Sequence, residues 1–292
     1  ATRGYGAEVI LHGKDFNEAQ EKCFELVRER NLTLVHAYND PMIMAGQGTV
    51  GLEIVEELPE VDVVIVGVGG GGLISGIATA VKGRKPKAMV VGVQPQISSS
   101  LQPSLKAGKI IPATATNTIA DGLATKSVGD KTFEVMRKVV DEAVTVTDDE
   151  IAHAILLLLE RSKNVVEGAG AASLAAALSG KVKLRGKKVC VVISGGNIDI
   201  NVLDGIILRG LEEAGRIVRF ATEIGDRPGQ LRKLLEVVAA NRGNIRDVSH
   251  LRNRMGIPLG RTVVEIDIET QGQKHRDVLL DELKKAGYEV RK

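Results

Sequence analysis

The span Val61–Val66, apolar except for Asp62, runs straight into Gly67-Val68-Gly69-Gly70-Gly71-Gly72-Leu73, and a helical pattern follows from Leu73 to Val81. Few folds accept that order. A strand without polar alternation is buried on both faces, which is the habit of a parallel sheet covered by helices on each side. Four consecutive glycines let the backbone approach a ligand with no Cβ in the way. Their N–H groups, together with the positive end of the helix behind them, make a cradle for an anion, and a phosphate is the natural guest. A tight strand-to-helix turn alone needs only one or two glycines.

The remaining pattern agrees over two-thirds of the 292 residues. Strands are expected at Glu8–Leu11, Leu32–His36, Ala88–Val93 and Lys188–Ile193. Helices are expected at Phe16–Arg28, Met44–Leu58, Phe133–Val139, Asp148–Ser162, Ala169–Leu178 and Leu203–Glu213. Strands alternating with helices give an α/β domain with a parallel sheet. The pattern then changes. Ile217–Glu223, Asn244–Leu251, Thr262–Glu269 and Tyr288–Arg291 read as strands, and Gly229–Asn241 and Lys274–Ala286 as helices. That βαββαβ order is ferredoxin-like, with four strands in one antiparallel sheet and both helices on one face. Gly215 marks the break, so the expected domains are 1–214 and 216–292.

Composition removes several classes of function. Aromatic residues are 2% of the chain and tryptophan is absent, which argues against a reader of stacked bases. A net charge of +2 leaves no whole-chain footprint for a polyanion. No nucleic-acid partner is expected. No apolar run approaches the roughly 20 residues of a membrane span, and the start of the chain has no secretory h-region. Cys23 and Cys190 are far apart and lack zinc spacing, so reduced thiols in the cytoplasm are the simplest reading, with Cys190 a buried packing residue. The five histidines are scattered, and no metal site is expected.

Which phosphate the loop holds needs more than the loop. Gly67-x-Gly69-x-x-Gly72 has the dinucleotide spacing, but the strand after the helix ends at Gln94 where a ribose-binding acid belongs. A Walker loop would need Gly-Lys-Ser/Thr. Three further constellations lie downstream: Ile119-Ala120-Asp121-Gly122, Val166-Glu167-Gly168-Ala169-Gly170, and Ser194-Gly195-Gly196-Asn197-Ile198-Asp199 at the end of the strand Lys188–Ile193. A serine at the carboxyl end of a parallel strand points into the crevice where α/β folds bind ligands.

These motifs carry a resemblance. Val68 to Ala78, Ala45-Gly46-Gln47-Gly48-Thr49, Thr118–Gly122, Glu167 and Ser194–Asp199 resemble, in order and approximate spacing, the threonine dehydratase group of pyridoxal-phosphate enzymes of the tryptophan-synthase-β fold type (fold type II). The likeness covers roughly residues 1–210. It implies pyridoxal 5'-phosphate as cofactor. Gly69, Gly70, Gly71, Gly72 and the N–H of Leu73 would hold its phosphate. Ser194 would meet the pyridine nitrogen, and Gly122 and Glu167 would line the ring edge. A competing reading of Glu167 is a carboxylate placed at a helix N-terminus by the macrodipole. Residues 216–292 resemble an ACT domain, a module that often binds amino-acid effectors at subunit interfaces. The candidate regulatory residues are Asp226, Pro228, Gly229, Gln230, Leu231, Asn244 and Ile245. The turn N–H groups would take an effector's carboxylate, and Asn244 its amino group.

The resemblance also exposes departures. The family's lysine, which forms the Schiff base with the cofactor, sits in a Ser-Phe-Lys-x-Arg-Gly stretch, and no lysine here has that context. The Ser-Gly-Asn-His loop that grips the substrate carboxylate is missing too. The expectation is the carboxyl-terminal part of a longer enzyme, inactive alone, with no catalytic residue of its own. Racemases of the group hold a divalent cation with an acid where this chain has Gln94; neutral oxygens there suit a monovalent cation or none. The leading function is threonine dehydration to 2-oxobutanoate and ammonia, in a homo-oligomer (dimer or tetramer) with a small amino-acid substrate and an amino-acid effector. The alternatives are serine racemase or serine dehydratase, and a non-catalytic amino-acid-binding module.

Overall fold

The computed structural model describes residues 2–14, 16–114, 117–252 and 256–291. The chain divides into two compact units, 1–198 and 199–292.

In chain order the first unit holds α1 (Phe16–Glu29), α2 (Pro41–Glu57), β1 (Val63–Gly67), α3 (Gly72–Arg84), β2 (Met89–Pro95), α4 (Leu101–Ala107), α5 (Asp130–Val139), β3 (Glu142–Val146), α6 (Asp148–Leu157), α7 (Gly168–Leu178) and β4 (Val189–Val191). The four strands form one parallel sheet in the order β3-β2-β1-β4, with Val63 opposite both Met89 and Val189. Every residue of β1 is buried, as its unbroken apolar run requires. Val64, Val66, Ile74, Ile77 and Met136 belong to one core cluster that joins β1, α3 and α5. Helix α7 packs against all four strands. It can do so because Gly168–Ser173, Ala175 and Ala176 are small enough to be buried in the contact.

Start signals written in the sequence fix the helices. Asp40 caps α2 by accepting from the N–H groups of Met42 and Ile43, and Pro41 occupies the first turn. Thr147 and Glu150 close a reciprocal capping box on α6. Helices α2 and α3 touch backbone to backbone: a Cβ on Gly51 would lie 2.6 Å from the Ile77 carbonyl oxygen, and one on Gly76 would overlap the Met44 carbonyl.

Two expected strands are corrected. Glu8–Leu11 and Leu32–His36 have strand composition but pair with nothing among the described residues. Their apolar side chains stay in solvent, Leu11 at 84% and Val35 at 75% exposure. Strand β3 and helix α4 were not expected. Cys190 is half-buried rather than enclosed, and burial pushes its thiol up from the ordinary range.

The second unit comprises α8 (Ile200–Glu213), β5 (Ile217–Gly225), α9 (Gln230–Ala240), β6 (Asn244–Leu251), β7 (Arg261–Glu269) and α10 (Gln273–Lys285). Helix α8 belongs here, ahead of the break expected at Gly215. It packs on β5, the Gln273 side chain donates to the Glu213 carbonyl at 2.5 Å, and Thr270 donates to the Gly215 carbonyl. The sheet is antiparallel, in the order β5-β7-β6. Leu234 and Val238 of α9 share one core with Leu279 and Leu283 of α10, so both helices cover the same face. The expected fourth strand, Tyr288–Arg291, is reduced to a single bridge between Ala221 and Arg291.

Candidate active site

At the carboxyl end of β1 the Val68 N–H donates to the Val93 carbonyl at 2.8 Å and closes the ladder. The backbone then turns through Gly69–Gly71 into α3. Gly71 is the N-cap, at φ +96°, a conformation that costs an L side chain about 1 kcal/mol or more. Among the described residues, no backbone carbonyl outside α3 accepts from the N–H groups of Gly69–Leu73. A row of undischarged donors at a helix start is an anion site. Tyr38 lies against this loop. Its ring fills the space that a Cβ on Gly70 would take, and its Cα stands 2.9 Å from a Cβ built on Gly72.

The loop forms one wall of a cavity of about 530 Å³, within the usual range for a cofactor-sized ligand. Gly69, Gly70, Gly71, Gly72, Leu73, Gly122, Glu167 and Ser194 all line it, brought together from four separate stretches of sequence. Gly122 comes from the turn Asp121–Leu123. Ser194 follows β4, whose end is held by the Ser173 hydroxyl donating to the Val192 carbonyl at 2.6 Å.

Glu167 occupies the N-cap position of α7 but makes no side-chain cap. Its carboxylate accepts from the Asn197 N–H at 3.0 Å and lies against Gly195, while its N-cap position keeps it at the positive end of α7. Burial raises its pKa above the ordinary carboxylate range, and the charge on Asp121 adds to the rise, against the Asn197 hydrogen bond.

Sequence reasoning passed over Tyr38 and Thr125, which also line the cavity. Burial pushes the Tyr38 phenol up. The Thr125 hydroxyl is buried without a hydrogen-bond partner, as is that of Ser99. Nothing local in the sequence marks Tyr38, because its role is a contact with glycines some thirty positions on. Gln94 is committed elsewhere: its side-chain oxygen accepts from the N–H groups of Ser100 and Leu101 at 2.9 and 2.6 Å, so a neutral carboxamide ties the start of α4.

A glycine cradle, a serine and a partly buried carboxyl at the carboxyl ends of parallel strands suit a phosphorylated heterocycle. Residues 1–195 match the family described as pyridoxal-phosphate dependent enzyme. The chain belongs to that family. It is 48% identical over 290 residues to an L-threonine ammonia-lyase of Thermotoga maritima, covering 99% of this chain and 72% of that one. Among solved structures, a threonine deaminase from a plant, Solanum lycopersicum (isoform 2, processed form), is 35% identical with a TM-score of 0.65, over 70% of this chain and 60% of that one. A maize serine racemase is 36% identical with a TM-score of 0.65, over 72% and 65%. The chain therefore spans about two-thirds or less of the length of these solved family members.

The candidate regulatory residues lie in the second unit. Asp226, Pro228, Gly229, Gln230 and Leu231 form the turn from β5 into α9, where Gly229 is an N-cap without a side-chain bond. Asp226 pairs with Arg252 at 3.1 Å. Asn244 and Ile245 begin β6, and the Asn244 amide donates to Glu269 at 2.9 Å. Gly225 is paired with Arg261, whereas Asn244 is paired with Glu269 at the other end of β7. The turn and Asn244 are therefore at opposite ends of the sheet, roughly 26 Å apart at the usual rise per residue. One copy of this unit cannot close both around one small effector, contrary to the expectation from sequence.

Proposed function

We propose that this chain carries the cofactor-binding face of a threonine ammonia-lyase, which converts L-threonine to 2-oxobutanoate and ammonia, with serine as a slower substrate. The convergence of the glycine cradle, Gly122, Glu167 and Ser194 on one cavity carries the reading. The near full-length identity to an L-threonine ammonia-lyase supplies the substrate.

The residues fit pyridoxal phosphate. The donors of Gly69–Leu73 suit a dianionic phosphate, and any Cβ on Gly70 would collide with Tyr38 and reshape the cradle. When bound, the cofactor supplies an electron sink for the substrate's α-carbon. The chain's own part is to orient and to set charge. The cradle fixes the phosphate end. The Ser194 hydroxyl, which lines the same cavity, would meet the pyridine nitrogen and leave the ring neutral. Glu167, whose pKa burial pushes up from the ordinary carboxylate value, would line the ring edge.

Among the described residues no lysine lines the cavity. The 292-residue chain by itself is therefore expected to bind the cofactor non-covalently and to release no 2-oxobutanoate. Specific 2-oxobutanoate release by the purified chain would contradict this. Serine racemization is the second reading, favoured by the maize structure. Absence of D-serine, in an assay where added upstream chain restores threonine turnover, would remove it.

For residues 216–292 the reading is an ACT-type regulatory domain in a cytoplasmic homo-oligomer. The opposite-end placement of the 226–231 turn and Asn244 means that one effector meeting both requires two copies of the domain. Calorimetric titration with isoleucine, valine, threonine and serine tests it. Heat for one of them, accompanied by self-association, is expected. No heat for any, with the domain folded, leaves only a structural role. Among the described residues no helix is long and apolar enough to cross a membrane.

A further inference from the structure

Three consecutive residues, Tyr38, Asn39 and Asp40, tie three separate elements together at the cofactor cradle. Tyr38 packs over Gly70 and Gly72, and Asp40 caps α2. Asn39 reaches across to α5. Its side-chain oxygen accepts from the N–H groups of Lys131 and Thr132 at 3.0 and 3.4 Å, and its amide donates to Asp130. This is a helix cap supplied in trans. The residue at the α5 N-cap, Gly129, has no side chain to offer, and a Cβ there would strike the Asn39 oxygen.

The cap delivers Thr132 to the cradle. Thr132 is fully buried, and its hydroxyl, which also lies 3.0 Å from the Gly129 carbonyl, makes its shorter contact, 2.6 Å, to the Gly70 carbonyl, while the Gly129 N–H donates to that same Gly70 oxygen at 3.0 Å. A carbonyl held by two donors cannot swing. In a trans peptide the C=O of one residue and the N–H of the next point in opposite directions, and the described chain has no cis bond. Holding the Gly70 oxygen on the α5 side therefore fixes the Gly71 N–H away from α5. Four glycines alone would leave that peptide plane soft. Thr132 removes the softness before a ligand arrives, and preorganised donors bind an anion more tightly than donors that must first be ordered.

We propose that Thr132, set in place by Asn39, is the positioning residue that aims the Gly71 N–H at the cofactor's phosphate. The proposal rests on the cofactor reading above. Neither residue touches the phosphate; both act through the Gly70–Gly71 peptide. Tyr38 packs against the same loop at Gly70 and Gly72.

The test is a titration of the full 292-residue chain with inorganic phosphate, followed at the Gly71 and Leu73 amide resonances. Thr132→Val keeps the volume and removes the donor. It is expected to weaken phosphate binding about tenfold, the worth of one hydrogen bond to a buried carbonyl. Thr132→Ser is expected to restore binding, and Asn39→Ala to weaken it by a smaller factor. Thermal melts accompany each titration. Should Thr132→Val not fold, Thr132→Cys offers a weak S–H donor at nearly the same size and is expected to bind phosphate more weakly than the unsubstituted chain. If Thr132→Val titrates like the unsubstituted chain, or if Thr132→Ser fails to rescue, the positioning role is overturned while the cradle stands. If phosphate moves neither amide in the unsubstituted chain, the cradle reading falls and this inference with it.

Discussion

The two units solve the problem of presenting a ligand site differently. In the first, the central strands β1 and β2 are buried and the candidate site is made chiefly of backbone. Strand β1 has no exposed residue, and its carboxyl end opens into glycines whose N–H groups are the proposed functional atoms. In the second, the sheet buries one face against α9 and α10, as the alternating burial of β5 shows. What it can offer a ligand lies in a turn and a strand end on opposite sides. A backbone site tolerates almost no change in the residues that form it but asks little of side-chain chemistry. A site made of turns and strand ends depends on where a second copy sits.

The comparison gives graded expectations. The largest effect belongs to Gly76→Ala, whose Cβ would meet the Met44 carbonyl and the Gly48 N–H, both backbone. Backbone cannot step aside as a side chain can. The α2–α3 contact should lose about 3 kcal/mol or more, measured as faster amide exchange in α3 and β1 and a lower melting temperature. An unchanged melt would mean that these helices are not held as described. In the second unit the matching test is Leu279→Ala. Leu279 is fully buried, and its truncation should cost about 3 kcal/mol through lost burial and a cavity, read as faster exchange in β7 and α9.

A smaller effect separates capped from uncapped helices. Thr147→Ala opens the capping box of α6 and should cost about 1 kcal/mol, visible in a denaturant midpoint. Helix α9, which starts at Gly229 without a side-chain cap, offers no such substitution.

The smallest effect is a pH dependence. Glu167 has a raised pKa in the folded chain, mainly from burial. The folded state therefore favours the protonated carboxyl. That contribution is fully present below the unfolded pKa, near about 4.3, and is lost as pH rises through the folded value. Glu167→Gln cannot ionise, so its melting temperature should match the unsubstituted chain near pH 4 and exceed it modestly at pH 7. The group is partly open to solvent, which keeps the difference small. A variant less stable at pH 7 than at pH 4, relative to the unsubstituted chain, would reverse the sign and overturn the assigned cause.

What could be read from sequence follows the same division. The order β1, glycine loop, α3 was legible because an apolar run and four glycines admit few conformations. The resemblance singled out Gly122, Glu167 and Ser194, and the structure brings all three to one cavity. Tyr38, Asn39 and Thr132 were not legible, since their importance lies in contacts across the fold. Helix α4 was hidden by Pro103 in its first turn, and β3 by charge, since it follows Asp141, opens on Glu142 and runs into Asp148 and Asp149. Glu8–Leu11 and Leu32–His36 show the converse: strand composition does not make a strand where no neighbour pairs with it. Asn244 misled for a topological reason. It follows α9 closely in sequence, yet that helix carries the chain the whole length of the sheet away from the turn at its start.

The central claim is that the backbone of Gly69–Leu73 holds the phosphate of pyridoxal phosphate. The most direct measurement is a titration of the unsubstituted chain with the cofactor, followed by its phosphorus resonance and by the amide resonances of Gly70–Leu73, with borohydride treatment at saturation. The account predicts saturable binding that shifts those amides, competes with inorganic phosphate, is lost in Gly70→Ala, and leaves no cofactor fixed to any one lysine. Saturable binding that leaves the Gly70–Leu73 amides unmoved, or that survives Gly70→Ala unchanged, would contradict it.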